Sequence, residues 1–167
     1  MKHYRIFSFI LLFICTALGQ SCSTPSSSGR EILDMNTDWA FYRGDVEEGR
    51  RADLDDSGWM PVALPHIMQL ETKYCGGNSI YDGVGWYRRY FKLPAKYKDK
   101  RVVVSFEGVM TNCDVYLNGQ KVTEHHGGYM GFVADLTDRI DWNGNNVLAI
   151  RVLSLIHISE PTRPISI

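Results

Sequence analysis

Alternation of apolar and polar side chains is the strongest pattern in the chain, and it is clearest near the middle. Between residues 102 and 107 every second side chain is a large apolar one, the period that puts one row of side chains into a core. A second alternating run, residues 114–117, leads into Asn118-Gly119, the pair that best tolerates the positive φ angles of a type I′ turn. Residues 120–122 then return along it. The pattern predicts a strand followed by a β-hairpin.

Shorter alternating segments on both sides of this centre predict further strands. They are residues 39–42, with Trp39 and Phe41 on one face; residues 59–65, kept to a sheet edge by their prolines; residues 86–93, ended by Pro94; and residues 147–152. Residues 66–85 show no period and contain four glycines, which predicts a long loop. Thr137 is expected to cap a single helical turn at residues 138–140. Many short strands separated by turns predict an all-β fold, an antiparallel β-sandwich.

One charged residue falls on a predicted apolar face. In the strand at residues 86–93, Arg89 shares a face with Tyr87, Phe91 and Leu93. A buried guanidinium needs a partner. We therefore expect Arg89 to lie at the rim of the sandwich or to pair with a carboxylate.

The N-terminus has the composition of a targeting segment. Lys2, His3 and Arg5 precede an apolar stretch, residues 6–18, which is too short to span a bilayer but typical of an export signal. We therefore predict an export signal over residues 1–21, and a protein that leaves the cytoplasm.

The end of this segment, Leu18-Gly19-Gln20-Ser21-Cys22, resembles a bacterial lipoprotein processing site, although Gly19 stands where leucine is usual. Cys22 would carry the lipid, and residues 22–35 would form a tether, because serine, proline and glycine bury too little apolar area to order themselves. The alternative is an ordinary signal peptide cut near Gly19 or Ser21. The prediction is a periplasmic or outer-membrane-anchored lipoprotein of a Gram-negative bacterium, which touches the membrane only through its lipid anchor.

Composition and charge bear on the possible partners. The 167 residues carry a formal net charge of -1 and no Lys/Arg tract longer than two residues, which gives no basis for binding nucleic acid. Of the four cysteines, two belong to the leader, and Cys75 and Cys113 could form a disulfide or remain thiols. His125 and His126 would point to opposite faces of a strand. No metal site and no cofactor is expected.

Residues 153–167 break the strand pattern. The stretch at residues 153–163 (LSLIHISEPTR) resembles the conceptual translation of a transposon-derived sequencing adapter. We therefore expect a non-native tail, the alternative being a short terminal extension, and we assign the sandwich to residues 36–152. The natural protein would then be longer than this chain.

Seven short motifs follow one another within the predicted sandwich. They are Trp39-Ala40-Phe41 with Gly44-Asp45; Asp55-Asp56-Ser57-Gly58-Trp59 leading to Leu64-Pro65-His66; Gly85-Trp86-Tyr87-Arg88-Arg89 with Phe91 and Leu93-Pro94; Phe106-Glu107-Gly108-Val109; Asp114-Val115-Tyr116-Leu117-Asn118-Gly119; Gly127-Gly128-Tyr129 with Phe132; and Asp135-Leu136-Thr137. Each motif is weak alone. In this order and spacing they resemble the N-terminal sugar-binding-type domain of glycoside hydrolase family 2, the family of β-galactosidases, β-glucuronidases and β-mannosidases.

This resemblance implies a jelly-roll, galactose-binding-domain-like β-sandwich, which packs on a catalytic (β/α)8 barrel through an immunoglobulin-like domain. It implies a retaining glycosidase, whose two carboxylates, about 5 to 5.5 Å apart, are glutamates of the barrel. A barrel needs about 250 residues, so no residue of this chain is given a catalytic role. The expected function is that of the N-terminal domain of an exported enzyme that hydrolyses terminal β-linked sugars from an oligosaccharide or glycoside.

Direct contact with substrate is where the sequence departs from the family. In some β-galactosidases of the family, an aspartate in the loop after the Asn-Gly hairpin reaches the substrate, but residues 125–131 here contain no carboxylate. The resemblance leaves His126 and Tyr129 as the candidate substrate-proximal residues.

Other conspicuous residues have a structural interpretation. The tryptophans are expected in the core or at an interface, not as sugar platforms. They are Trp39, Trp59, Trp86 and Trp142. Asp55 and Asp56 are expected to form turns. Two other functions stay open: a stand-alone carbohydrate-binding module, which would need an exposed aromatic platform, and a structural or adhesive surface lipoprotein.

Separated from its partner domains, the sandwich should expose an apolar patch and self-associate, because large exposed apolar patches favour association. The candidate residues have no strand alternation to bury them. They are Ile67, Met68, Leu70, Tyr74, Tyr129, Met130 and Phe132.

Overall fold

A computed structural model describes residues 30–68, 81 and 83–154. Its strands are β1 (Trp39–Arg43), β2 (Met60–Val62), β3 (Gly83–Phe91), β4 (Val103–Phe106), β5 (Asn112–Leu117), β6 (Gln120–His126), β7 (Phe132–Asp135) and β8 (Asn146–Ser154). Two 3-10 turns, Ala95–Tyr97 and Thr137–Arg139, also occur. These elements belong to the compact unit that begins at Asp34; of the preceding unit, residues 1–33, the structure describes residues 30–33. Within the described ranges, no helix has the length and apolar character needed to cross a membrane.

The strands form two antiparallel sheets. Six strands make the large sheet in the order β2-β1-β3-β8-β5-β6, and β4 pairs with β7 in a small sheet. The predicted edge strand, β2, does lie at an edge of the large sheet. Buried side chains from both sheets meet in one core. The predicted all-β antiparallel sandwich is confirmed.

Alternation along the strands builds this core as the sequence predicts. In β5, Cys113, Val115 and Leu117 are buried, while the residues between them are only partly covered. Burying each large apolar side chain stabilises the fold by about 1.5–3 kcal/mol, which makes this core its main source of stability. The core consists of Trp39, Phe41, Tyr87, Phe106, Cys113, Val115, Leu117, Ala134, Leu136, Ile140, Leu148, Ile150 and Val152.

The predicted hairpin is present, and its turn does more than reverse the chain. Asn118 and Gly119 have φ angles of 50° and 84°, as a type I′ turn requires. The Asn118 side chain donates to Asn146 Oδ1 at 2.9 Å and accepts a hydrogen bond from Val147 N–H at 2.9 Å. Asn146 is completely buried. The turn is therefore attached to the start of β8, a contact that the local pattern does not reveal.

Several strand boundaries differ from the prediction, and two of the differences concern the predicted loop and the predicted end of the sandwich. β3 begins at Gly83 instead of Trp86, and β8 continues to Ser154 instead of ending at Val152. A Cβ on Gly85 would stand 2.9 Å from Phe41 Cε2, so this position of the strand requires glycine. The same glycine led the sequence pattern to predict a loop. Ser154 is in the ladder because it pairs with Gly83. The rest of the predicted loop, residues 69–80 and 82, lies outside the described residues.

The expected cap at Thr137 is also wrong. Leu136 occupies the N-cap position of the 3-10 turn Thr137–Arg139, and no side chain caps it. The Thr137 hydroxyl instead donates to Asp135 Oδ1 at 2.6 Å and accepts from Val102 N–H at 3.0 Å. It therefore joins the end of β7 to the segment that enters β4.

The outer face of the large sheet is covered by part of the segment between β1 and β2. Arg88 of β3 is completely buried there. Its guanidinium donates to Asp56 Oδ2 at 2.8 Å and to the carbonyls of Gly49 and Arg51 at 2.8 and 2.7 Å. It also donates to the Tyr90 hydroxyl at 3.1 Å. These bonds satisfy the buried charge and fasten the covering segment to the sheet.

Arg89 lies on the opposite, core-facing side of the same strand. Its side chain is 12% exposed, and its Nη2 atom is 4.0 Å from Asp38 Oδ2. Its Nε atom is buried and has no hydrogen-bond partner in the part of the chain that the structure describes. The expected carboxylate is present, although at the limit of an ion pair.

Candidate functional site

The candidate substrate-proximal residues lie at the end of β6 and in the following segment, residues 127–131, which we call the Tyr129 loop. Gly127 N–H donates to the Thr111 carbonyl at 2.8 Å, and Thr111 N–H donates to the Leu153 carbonyl at 2.9 Å. The Tyr129 loop therefore starts beside the last residues of β8.

Three glycines define the path of the Tyr129 loop. Gly127 has a φ angle of 123°, which side chains rarely permit. A Cβ on Gly128 would lie 3.1 Å from Met110 Cγ, and one on Gly131 would lie 2.9 Å from the Phe106 carbonyl oxygen. The close approach of these atoms leaves no room for a side chain at Gly128 or Gly131, so the path of the loop depends on glycine at both positions.

Three stacked rings, two of which flank the Tyr129 loop in sequence, lie beside it. His125 lies parallel to Phe132, with ring centres 4.2 Å apart, and Phe132 stacks on Phe106 at 4.6 Å. His125 Nε2 also donates to the Gly127 carbonyl at 2.9 Å. Both ends of the loop are thus fixed to the sandwich.

The two candidates themselves are exposed. The side chain of His126 is 70% exposed, with Nδ1 3.1 Å from Asn112 Oδ1 and Nε2 3.8 Å from Glu124 Oε1. Tyr129 is 90% exposed. As predicted, His125 and His126 point to opposite faces of β6, with His125 half-buried. The arrangement offers an aromatic ring and an imidazole to a partner or ligand.

The predicted apolar patch is smaller than expected. Ile67 and Met130 are each 66% exposed, which agrees with the prediction. Met68 and Phe132 are partly buried against the core, so their assignment to the patch is wrong. Met68 is covered because it packs against Gly85, which has no side chain. Phe132 is covered because it stacks on the ring of His125. Leu70 and Tyr74 lie outside the described residues.

The tryptophans have the structural positions that the sequence suggests. Trp39 and Trp86 are 3% exposed, and Trp142 is partly buried against the core. Trp59 is half-buried, 5.4 Å from the Tyr42 ring on the outer face.

Asp55 and Asp56 both shape the turn before β2, as predicted. Asp55 Oδ1 accepts a hydrogen bond from Ser57 N–H at 3.0 Å, and the Asp56 carbonyl accepts one from Trp59 N–H at 2.9 Å. The Asp56 carboxylate has the further task of neutralising Arg88, which the sequence interpretation missed. An aspartate in a turn gave no signal of a partner 32 residues away.

Charged side chains on the outer face of β8, β5 and β6 neutralise one another. Arg151 donates two hydrogen bonds to Asp45, at 3.0 and 2.5 Å, which hold the pKa of that carboxyl at about 2. Lys121 lies 2.8 Å from Asp114 and 2.6 Å from Glu124, and hydrogen bonds to these carboxylates raise the pKa of the lysine. Each charged group is neutralised by its own partner, so we assign these ion pairs a structural role.

Cys113, His66 and Tyr87 could react in principle, but burial disfavours the charged form of each. Burial, reinforced by the Asp114 charge, raises the pKa of the Cys113 thiol to about 11, so it stays protonated at neutral pH. Cys113 forms no disulfide with a described residue, and Cys75 lies outside the described residues. His66 Nδ1 is 2.9 Å from the Tyr87 hydroxyl, and burial lowers the pKa of His66 and raises that of Tyr87. In residues 30–68, 81 and 83–154, no three His, Cys, Asp or Glu side chains are grouped as a metal site requires.

Comparison with known proteins places this sandwich in a family. The family model described as glycosyl hydrolases family 2, sugar binding domain, matches residues 76–160, just over half of the chain. The chain is 38% identical over 134 residues to a β-galactosidase of Thermoanaerobacter pseudethanolicus, covering 80% of this chain and 18% of that protein. It is 30% identical over 135 residues to a β-glucuronidase of Formosa agariphila, covering 76% of this chain and 14% of that protein.

Solved structures agree with this assignment. The crystal structure of a Bacteroides uniformis β-glucuronidase matches with a TM-score of 0.70 at 30% identity, covering 76% of this chain and 15% of that one. A family 2 member from Bacteroides cellulosilyticus matches with a TM-score of 0.67 at 34% identity, covering 74% and 18%. This chain therefore spans less than a fifth of the length of these relatives. The resemblance found in the sequence is confirmed: the chain belongs to glycosyl hydrolase family 2, and its jelly-roll β-sandwich is the sugar-binding domain of that family.

Proposed function

We propose that this chain is the N-terminal domain of an exported glycosidase that hydrolyses terminal β-linked sugars, of the β-galactosidase or β-glucuronidase type. The observation that carries the proposal is the family match together with its coverage. The relatives named above are a β-galactosidase and β-glucuronidases, and this chain accounts for only 14–18% of their length and that of the B. cellulosilyticus protein. The catalytic carboxylates would lie in the remainder, on a barrel of about 250 residues. β-Mannosidase activity is the third possibility that the family resemblance implies.

The proposed role of the domain is to dock on the barrel, through an immunoglobulin-like domain, and to shape the rim of its pocket. The Tyr129 loop suits that role, because its ends are anchored to the sandwich while the Tyr129 side chain stays exposed. The Tyr129 ring offers an apolar surface to the C–H face of a sugar, and its hydroxyl offers a hydrogen bond. His126 adds a second polar group. We assign both residues a substrate-proximal role and neither a catalytic one.

The uninterrupted gene downstream of codon 152 is the first test. The proposal expects an open reading frame that encodes a barrel with two catalytic glutamates. It also expects the encoded protein to release the aryl group from an aryl β-galactoside or β-glucuronide. A natural stop codon at this point, or an encoded protein without turnover of any aryl β-glycoside, would overturn the proposal.

Variants of the full-length enzyme test the two substrate-proximal residues. Tyr129→Ala and His126→Ala should each raise KM several-fold and leave the melting temperature unchanged, because both side chains are exposed. Tyr129→Phe separates loss of the ring from loss of the hydroxyl. Val133→Ala is a matched control, since Val133 is also exposed, at 55%, but lies on β7. KM values equal to that of the control would contradict the assignment.

Export and lipid attachment at Cys22 are proposed from the N-terminal sequence, where residues 1–29 lie outside the described residues. A single acyl chain binds membranes only marginally, so stable anchoring requires the several chains of a bacterial lipoprotein. Cys22→Ser should move the protein from the detergent phase to the aqueous phase, and Cys15→Ser, inside the leader, should not. Identical partitioning of the parent and Cys22→Ser would contradict lipid attachment.

A stand-alone carbohydrate-binding module is the alternative function, and one observation favours it. Tyr42 and Tyr90 are 42% and 44% exposed on the outer face, with half-buried Trp59 close to Tyr42. Titration of the 167-residue chain with oligosaccharides, followed by tryptophan fluorescence, distinguishes the two functions. Saturable binding that Tyr42→Ala abolishes would support the module.

A further inference from the structure

A histidine stands on the core-facing side of β6. His125 pairs with buried Cys113 of β5, and residues paired across two strands lie on the same face of the sheet. Its ring stacks on that of Phe132, with ring centres 4.2 Å apart. A phenylalanine ring could make the same contact. The feature that phenylalanine lacks is the ring N–H at Nε2, which donates to the Gly127 carbonyl at 2.9 Å, because a carbonyl oxygen can only accept.

Gly127 is the residue at which the chain passes from β6 into the Tyr129 loop. Its N–H donates to the Thr111 carbonyl at 2.8 Å, and its own carbonyl accepts the hydrogen bond from His125. The two soft dihedral angles of a residue set the relative direction of the peptide groups before and after it. Here each of those peptide groups has one hydrogen-bond partner. Because glycine has the widest choice of backbone angles, the direction of the chain beyond Gly127 depends on these two partners.

The Tyr129 ring has little support of its own. The residue is 90% exposed, so few contacts with the described part of the chain determine where its ring lies. Its position therefore depends on the backbone path from Gly127, two residues earlier. His126 differs, because it belongs to β6 itself and its Nδ1 atom lies 3.1 Å from Asn112 Oδ1 on the neighbouring strand. Loss of the His125 hydrogen bond should therefore displace Tyr129 and leave His126 in place.

We propose that His125 is a positioning residue for the substrate contact of Tyr129. Its ring N–H holds the Gly127 carbonyl, and thereby sets the direction in which the loop presents the tyrosine ring to the terminal sugar. The inference rests on the proposed function for the role of Tyr129. His125 itself faces the core and is given no contact with substrate.

The size of the expected effect follows from the strength of one hydrogen bond. Apparent affinity falls in proportion to the fraction of molecules whose loop is in the binding conformation. The net strength of a typical hydrogen bond changes such a population by about two- to tenfold. Its loss should therefore raise KM by about two- to tenfold and leave kcat unchanged, because the catalytic carboxylates lie elsewhere in the proposed enzyme.

Two variants of the full-length enzyme separate the donor from the ring, with an aryl β-galactoside or β-glucuronide as the substrate. His125→Phe keeps a ring against Phe132 and loses the donor, so KM should rise by about two- to tenfold. His125→Gln loses the ring but carries an amide N–H at a similar reach, so it should recover most of that loss. Thr137→Val is the matched control, because it removes a side-chain hydrogen bond at the far end of β7 from Phe132. It should leave KM unchanged.

A double-mutant cycle shows whether the effect passes through the tyrosine. In a Tyr129→Ala background, His125→Phe should add no further rise in KM, because the ring that it positions is absent. Equal rises in both backgrounds would overturn the proposal. A rise in KM for His125→Gln that equals or exceeds that for His125→Phe would assign the effect to ring stacking and would also overturn it.

Limited digestion of the 167-residue chain by chymotrypsin tests the hold on the loop without any activity. Chymotrypsin cleaves after tyrosine, and cleavage of a folded chain requires local opening. His125→Phe should speed cleavage after Tyr129 by about twofold or more, with cleavage after Tyr90 of β3 as the unchanged internal reference. Unchanged cleavage after Tyr129 would overturn the proposal, whether or not the protein is a glycosidase. Faster cleavage, together with a Tyr129→Ala variant of unchanged KM, would support the hold on the loop and contradict the substrate role that the proposed function gives Tyr129.

Discussion

Arg88 and Arg89 are neighbours in the chain and have opposite environments in the fold. Arg88 is buried on the outer face with four hydrogen-bond acceptors, three from the covering segment and the fourth, the Tyr90 hydroxyl, from its own strand. Arg89 faces the core rim, with one carboxylate at 4.0 Å and a buried Nε that has no partner among the described residues. Removing a fully bonded buried charge strands its partners, whereas removing a poorly bonded one strands little.

The two arginines therefore give a matched pair of variants. Arg88→Met should destabilise the chain by about 3–5 kcal/mol, because Asp56 and two backbone carbonyls lose their donor in a buried place. Arg89→Met should cost much less. Urea unfolding of the two variants, followed by fluorescence, measures the difference. Equal losses would show that the Arg88 bonds do not hold the covering segment.

A single pair of residues, Asp45 and Arg151, also makes the stability of the fold depend on pH. Hydrogen bonds from Arg151 lower the pKa of Asp45 from its ordinary value of 3.8 to about 2. A lowered folded-state pKa stabilises the fold above the unfolded value, and this contribution is lost as the pH falls from about 4 through about 2. Asp45→Asn should therefore lower the melting temperature at pH 7, and its difference from the parent should shrink at pH 2. A difference that is the same at both pH values would contradict the assignment.

At the scale of elements, glycines determine where strands begin and how the Tyr129 loop runs. Glycine is favoured in turns, so a sequence pattern assigns Gly83 and Gly85 to a loop. In the structure both belong to β3. At Gly85 the missing side chain makes room for Phe41 and Met68, so the cause lies in contacts with other elements.

Alanine substitutions at two glycines, one closely packed and one in open space, test whether contacts with other elements require glycine. A Cβ on Gly131 would lie 2.9 Å from the Phe106 carbonyl oxygen, where backbone must shift, while a Cβ on Gly58 meets nothing within 4 Å. Gly131→Ala should destabilise the chain by about 1–3 kcal/mol, as overpacking does. Gly58→Ala should be neutral or slightly stabilising, because alanine reduces the freedom of the unfolded chain. Thermal unfolding measures both, and a harmless Gly131→Ala would refute close packing of the loop.

For the whole molecule, the proposed function makes the sandwich one domain of a larger, multidomain glycosidase. The family's retaining mechanism needs two carboxylates at a fixed separation on a barrel, which the proposal assigns to downstream residues. We expect the purified 167-residue chain to hydrolyse no aryl β-glycoside. Turnover that survives removal of host glycosidases, and that co-purifies with the chain, would refute this expectation.

The amino-acid pattern was enough to predict the all-β class, the hairpin at Asn118-Gly119, the alternating core of β4 and β5, and the family. Each of these depends on local rules: a period of two, a dipeptide that tolerates positive φ, or motifs within a few residues of one another. Local patterns were therefore sufficient to predict these features, and the structure confirms the strands and the turn.

The burial of residues on the outer face, and the exposure of some apolar side chains, follow from the packing of the folded chain. Alternation places Arg88 and Tyr90 on the outer face but cannot show that residues 49–56 cover the first and leave the second 44% exposed. It likewise left Met68 and Met130 in one patch, although Gly85 admits Met68 to the core and nothing in the described part of the chain covers Met130 to the same degree. Such differences depend on contacts between residues far apart in the chain, and no local pattern records them.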